Sequence, residues 1–229
     1  MALTVTLALS RIRDMLDEVA ESRWSQQSLR RWMNDCLDDI SRTTLAIKDD
    51  ASITTVAGTA EYTVPSSVLQ IEQVYWTDGS SNLVPLSPVQ WENADQVWGM
   101  WQNQQSQQPS VYTVWGYSPN LKIRLYPVPN VARTVKLKVA RICTHVDESG
   151  AGDATAIDFP EAWLDTITDY VEYRALRKDH DPRWQEAFSS YATKRDSLAL
   201  HDYMNTAREI VYDPAVAGGL PRWLVDPRY

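Results

Sequence analysis

A chain of 229 residues with 44% apolar and 23% charged side chains is long enough to bury one large core or two small ones. No stretch approaches the roughly 20 apolar residues of a membrane span, and the start, where Arg11, Arg13 and Asp14 follow a short apolar run, lacks the apolar region and cleavage site of a secretory signal, so cytosolic folding is expected. A net charge of −8, with Lys and Arg interleaved among acids, argues against a protein that grips nucleic acid, although an acidic wall can face DNA without binding it.

The first periodic segment, Leu7 to Glu21, places Leu9, Ile12, Leu16 and Val19 on one helical face, with Thr6 or Ser10 as caps. The second is clearer. Ser25 caps a helix whose Leu29, Trp32, Met33, Cys36, Leu37, Ile40 and Thr44 follow 3,4 spacing, with Arg30, Arg31, Asp35, Asp38 and Asp39 opposite.

From Ser52 the period changes to two. Ser52 to Val56 and Glu61 to Val64 flank Ala57-Gly58-Thr59 as a predicted hairpin, and Ile71 to Thr77 runs through Asp78-Gly79 into Leu83 and Val84 as another. Ser87-Pro88 reads as an N-cap followed by proline at the first helical position, opening a short helix with Trp91, Ala94, Val97, Trp98 and Trp101. A polar Gln-rich loop follows. Val111 to Trp115 and Leu121 to Tyr126 form a third hairpin, and Val135, Leu137 and Val139 alternate with Lys136, Lys138 and Ala140 in a half-exposed strand.

After a loop from Asp147 to Ala156, Pro160 starts a helix carrying Trp163, Leu164, Ile167, Tyr170, Val171 and Ala175, and Asp181-Pro182 caps a last one carrying Trp184, Ala187, Phe188, Tyr191 and Leu198. From Asn205 prolines and glycines interrupt regular helix while Tyr212, Pro221, Trp223, Leu224 and Tyr229 keep the segment too apolar for a solvated tail. The pattern gives an α+β fold. A helical bundle from residues 1–50 and 158–204 carries an inserted β-rich domain, 51–146, a linker, 147–157, and an extended C-terminal arm, 205–229.

Site chemistry is sparse. His145, His180 and His201 fall in different elements without metal-ligand spacing, and there is no phosphate-binding glycine loop, serine elbow or dinucleotide turn. Cys36 and Cys143 supply no disulfide framework and read as buried thiols. Asp147, Glu148 and Asp153 do not follow the alternate-position acid pattern of an EF-hand, so no metal and no cofactor is expected. Ten Trp and eleven Tyr stand against two Phe, a bias toward amphipathic rings that suits interfaces as well as cores. Trp91, Trp98 and Trp101 either pack their helix onto a sheet or subunit, or stack on sugar rings or bases.

Three segments carry a resemblance. They are Trp24-Ser25 through Leu29-Arg30-Arg31-Trp32-Met33-Asn34-Asp35; Gly58-Thr59-Ala60-Glu61-Tyr62-Thr63-Val64-Pro65 followed by Ile71 to Tyr75; and Pro109-Ser110-Val111-Tyr112 leading into Leu121 to Pro129. In this order, between paired helices, they resemble the head-to-tail adaptor (connector) proteins of tailed, short-tailed above all, bacteriophages, although Gln107-Gln108-Pro109 stands where those adaptors carry Gly-x-Pro.

The resemblance implies a structural virion protein of the head-tail neck, assembled in the host cytoplasm and without enzymatic activity. It implies a ring, by family habit of twelve copies, between the portal protein and a tail nozzle or tail tube protein, with duplex DNA passing the lumen unbound and no membrane partner. Tyr212, Pro221, Arg222, Trp223, Leu224 and Tyr229 would then bind a partner through the arm, unless the arm straps its own domain. Two other readings stay open: a tail-fibre or carbohydrate-binding module using the Trp cluster, and a glycan-degrading enzyme using an unassigned carboxylate pair.

Overall fold

The computed structural model of the chain describes residues 2–18, 23–90, 104–150 and 156–212, with side chains between residues 3 and 200. Two compact units emerge: residues 1–36, 146–156 and 160–229 form one, and residues 37–145 and 157–159 the other. Helices from both ends of the chain share the first unit and the strand-rich middle forms the second, which is the α+β class that the periodicities predict.

In the helical unit, β1 (Ala2–Thr4) pairs antiparallel with the ends of β12 (Ala156–Pro160). Helix α1 (Val5–Met15) follows directly, capped by Thr4 rather than Thr6 or Ser10, since Thr4 Oγ1 accepts the Leu7 N–H at 3.3 Å. Val5, Ala8, Leu9 and Ile12 are its buried stripe. It stops well before Glu21 because Asp17 turns left-handed (φ 51°), and the N–H groups of Asp17 and Glu18 bond back to the carbonyls of Asp14 and Arg13.

Helix α2 (Gln26–Thr44) has the expected Ser25 cap, whose Oγ accepts the Ser28 N–H at 3.2 Å, and the expected stripe from Leu29 to Thr44 is buried throughout. Arg30 does not face solvent as its position in the pattern suggests. It is only 2% exposed, and its Nη2 donates to Gln26 Oε1 at 3.0 Å. The reason is that residues 146–150 lie on this side of the helix. The Asn34 side-chain amide exchanges two bonds with the Val146 backbone (2.8 and 2.9 Å), Glu148 pairs with Arg31 at 3.1 Å, and a Cβ on Gly150 would fall 2.6 Å from the Arg30 guanidinium.

A 3₁₀ turn, Glu161–Trp163, leads into α3 (Leu164–Lys178), and α4 (Trp184–Tyr212) returns along it. The corner is tight: His180 is left-handed (φ 58°), the Asp181 N–H bonds the Leu176 carbonyl at 3.0 Å, and the Asp181 carboxylate accepts the Arg183 N–H at 2.9 Å. Helix α4 continues through Asn205 to Tyr212, so the backbone stays helical where the extended arm was expected to begin. Residues 213–229 lie outside the described residues.

The β-rich unit holds β2 (Lys48–Thr54), β3 (Glu61–Thr63), β4 (Val68–Thr77), β5 (Leu83–Pro85), β6 (Ser87–Pro88), β7 (Gln105–Ser106), β8 (Val111–Trp115), β9 (Lys122–Tyr126), β10 (Val128–Pro129) and β11 (Thr134–Arg141). One sheet runs β2-β11-β4-β5 and a second runs β3-β9-β8-β6, while β7 and β10 make a short parallel pair. The β4–β5 and β8–β9 hairpins form as predicted. The β2–β3 hairpin does not: β2 pairs with β11 and β3 with β9, and Ile53 from the one and Tyr62 from the other both pack against the core. Ser87 and Pro88 are likewise extended rather than helical, lying parallel to Val111 and Tyr112. Proline suits this edge position, where it forfeits no ladder bond.

The core lies between the two sheets. Val74, Trp76, Val135, Leu137 and Val139 from one meet Tyr112, Ile123 and Leu125 from the other. On β11 Val135, Leu137 and Val139 are buried and Lys136 and Lys138 exposed, but the alternation breaks at Ala140, which is buried where the register with β4 shifts.

Candidate assembly surfaces

The Trp24-to-Trp32 motif at the start of α2 has a structural explanation. The two indoles meet edge to face at 5.3 Å between centroids, and the Lys178 ammonium sits over both, 5.0 Å from Trp24 and 5.6 Å from Trp32. Arg23 lies over Trp24 at 5.7 Å and pairs with Asp179, so the end of α3 is tied to the start of α2. Glu18, itself buried, caps this corner by accepting the N–H groups of Arg23 (2.5 Å) and Trp24 (2.9 Å).

Along α3 and α4 runs a second aromatic seam. Tyr170 meets Tyr173 and Tyr191, and Tyr173 meets Phe188 and Trp184. Arg177 donates to the Tyr173 hydroxyl at 2.6 Å and covers Trp184, while Arg174 reaches Asp35 on α2 at 3.1 Å. Beside this seam is an acidic recess of about 320 Å³ lined by Asp169, Glu172, Arg183 and Glu186. Burial, then the neighbouring Asp169, pushes the Glu172 carboxyl above its ordinary value.

In the β-rich unit Arg141 is a hub. Its Nε donates to Asp49 at 2.6 Å, and its Nη1 donates to Asp158 at 2.9 Å and to the Ile142 carbonyl at 3.0 Å. Burial works against ionisation of Asp158, but Arg141 and Thr144 outweigh it and hold the carboxyl below its usual range; Asp49 is held low by Arg141 and the Asp50 N–H. Cys143 is buried and its thiol is pushed up to about 12 by burial and by Asp158, which disfavours the thiolate form. His145 contacts Asp38 at 2.7 Å in a half-exposed pair. Among the described residues no three His, Cys, Asp or Glu side chains converge as a metal site, and no helix is long and apolar enough to cross a membrane.

The residues singled out from sequence fall elsewhere. Trp91, Trp98 and Trp101, and Pro221, Arg222, Trp223, Leu224 and Tyr229, lie outside the described residues, and Tyr212 is the last residue of α4. What sequence reading passed over is the tip of the β8–β9 hairpin. There Tyr117 is 90% exposed, and Trp115, 41% exposed, stacks under the Lys122 ammonium at 4.8 Å. An aromatic residue inside Gly116-Tyr117-Ser118-Pro119-Asn120, where polar residues fill a turn at least cost, was the available signal.

The SU10 adaptor protein family model matches residues 4–217, a span that runs through both units. The chain belongs to that family. It is thus a phage adaptor with a structural role, and the helices at both ends and the β-rich insertion are parts of one matched whole. No curated protein matches the chain.

Proposed function

We propose that this member of the family is the head-to-tail connector of a short-tailed phage, forming a ring between the portal protein and the tail nozzle or tail tube and giving DNA a continuous channel. The observation that carries this reading is the family match across residues 4–217, which takes in helices and β-rich insertion together and favours an adaptor over either glycan reading. The role is binding without catalysis, in the virion neck, after assembly in the host cytoplasm. A net charge of −8 suits a lumen that repels phosphate, so duplex DNA slides past unbound.

In this reading the helical unit and the C-terminal arm meet the portal, with Tyr212, Pro221, Arg222, Trp223, Leu224 and Tyr229 as the arm's contacts, and Trp91, Trp98 and Trp101 serve a subunit interface. Native mass measurement tests the central claim. The protein alone should be a monomer, and with the cognate portal a high cyclic oligomer, of twelve copies, should appear; persistent monomer with portal well above micromolar concentration overturns it.

A further inference from the structure

The pairing of α3 with α4 carries more negative charge than its ion pairs absorb. On α3, Asp169 and Glu172 lie three positions apart and so share one face, and on α4 Arg183, Glu186 and Ser190 come round to meet them, lining the recess of about 320 Å³ between the two helices.

Two cations stand at this recess, and each is committed to another acid. The Arg183 guanidinium is forked onto Asp181, with Nε donating to both carboxylate oxygens at 3.1 Å and Nη2 donating to Oδ2 at 2.7 Å. Lys194 pairs with Asp169 at 2.7 Å, and the Ser190 hydroxyl donates to the same Asp169 oxygen at 2.6 Å. Glu172 and Glu186 are left over: among the described residues neither carboxylate has a hydrogen bond or an ion pair, although Glu172 is half-buried.

A carboxyl withdrawn from water with no cation bound to it favours its neutral form. Burial is the largest cause at Glu172, followed by the charge of Asp169; Arg183 and Lys194 oppose these, Glu186 adds to them, and the balance leaves the group titrating above its ordinary value. The same helices are also joined by Tyr173, Phe188 and Tyr191, whose ring contacts carry no charge near neutral pH, so the pairing persists in either state of Glu172 while its strength changes.

We infer that the α3–α4 hairpin is a proton-operated clasp, which grips hardest with Glu172 neutral and slackens when Glu172 is charged. Its pH dependence is opposite in sign to that of the Arg141 hub. A carboxyl whose folded value is raised supplies stability that is fully present below the unfolded value of about 4.3 and is lost as pH rises through the folded one, whereas the depressed Asp158 and Asp49 supply stability that is lost as pH falls. Acid therefore strengthens the helix pairing in one unit while it weakens the hub in the other. The clasp does not depend on the ring reading.

Two measurements on the full-length chain test it. Followed by NMR, the Glu172 side-chain carboxyl of the wild type should titrate above the same carboxyl in the urea-unfolded chain, and Glu186→Gln should bring it down. In amide hydrogen exchange corrected for intrinsic rates, Glu172→Gln should raise the protection of α3 and α4 at pH 7.5 by about threefold, change it much less at pH 4, and leave β11 unaltered at both. A Glu172 midpoint at or below that of the unfolded chain overturns the clasp, and this measurement needs no substitution. So does a gain in protection from Glu172→Gln that is absent at pH 7.5 or equal at the two pH values.

Discussion

Arg141→Ala is the substitution whose cost can be followed most closely through the β-rich unit. The guanidinium is 22% exposed and serves two carboxylates: Asp158, 27% exposed, and Asp49, 49% exposed. A hydrogen bond to a charged group inside a protein contributes about 1.5–3 kcal/mol, which applies to the Asp158 arm. The Asp49 arm is half in water, and solvent screening reduces it to roughly 0–1 kcal/mol. With Asp158 left partly buried beside Thr144, the variant should lose about 2–3 kcal/mol.

The pH dependence follows from the signs. Asp158 and Asp49 both titrate below their ordinary values when folded, so the stability they supply is present above the unfolded carboxylate value of about 3.9 and is lost as pH falls through the folded values. Wild type and variant should therefore differ fully at pH 7 and converge in acid, once the pH lies below the folded values of both carboxylates. Urea unfolding at pH 7 and in acid, with amide hydrogen exchange on β11 to isolate this unit from the helical one, measures the difference. A loss below 0.5 kcal/mol at pH 7, or an equal loss at pH 7 and in acid, would refute the reasoning, about the size of the hub in the first case and about its electrostatic origin in the second.

Gly116→Ala should cost about 1–3 kcal/mol from left-handed strain plus the clash with Asn120, whereas Gly58→Ala, also left-handed (φ +78°) but facing open space, should cost about 1 kcal/mol or less; thermal denaturation of the two variants checks the contrast. Trp76→Ala empties a fully buried site between the sheets and should cost about 3–5 kcal/mol in the same assay. Cys143, buried and with its thiol pushed up to about 12, should react with iodoacetamide at pH 8 at least about a hundredfold more slowly in the native protein than in urea, as read by mass spectrometry. Removing residues 213–229 should leave the thermal midpoint of the free protein nearly unchanged while preventing stable incorporation on the portal; a large fall in the midpoint would mean that the segment straps its own unit.

The elements written plainly in the sequence are those whose cause is local. The stripe from Leu29 to Thr44, the caps at Ser25 and Asp181, the Asp78-Gly79 turn and the β8–β9 hairpin each depend on residues a few positions apart, so spacing and turn chemistry suffice to find them. Module order is equally legible, and the adaptor family it resembles is the one whose model spans residues 4–217. Tertiary structure alone decided the rest. Whether β2 joins β3 or β11, some 80 residues away, turns on which sheet buries Ala51 and Ile53, and Ser87-Pro88 becomes an edge strand only because β8 is there to receive it. Arg30 looks solvated in a helical wheel until residues 146–150 cover it. Tyr117 reads as one more aromatic in an aromatic-rich chain, and only the closed turn around Gly116 shows that it is held out into solvent, because exposure is a property of what surrounds a side chain and not of its place in the chain.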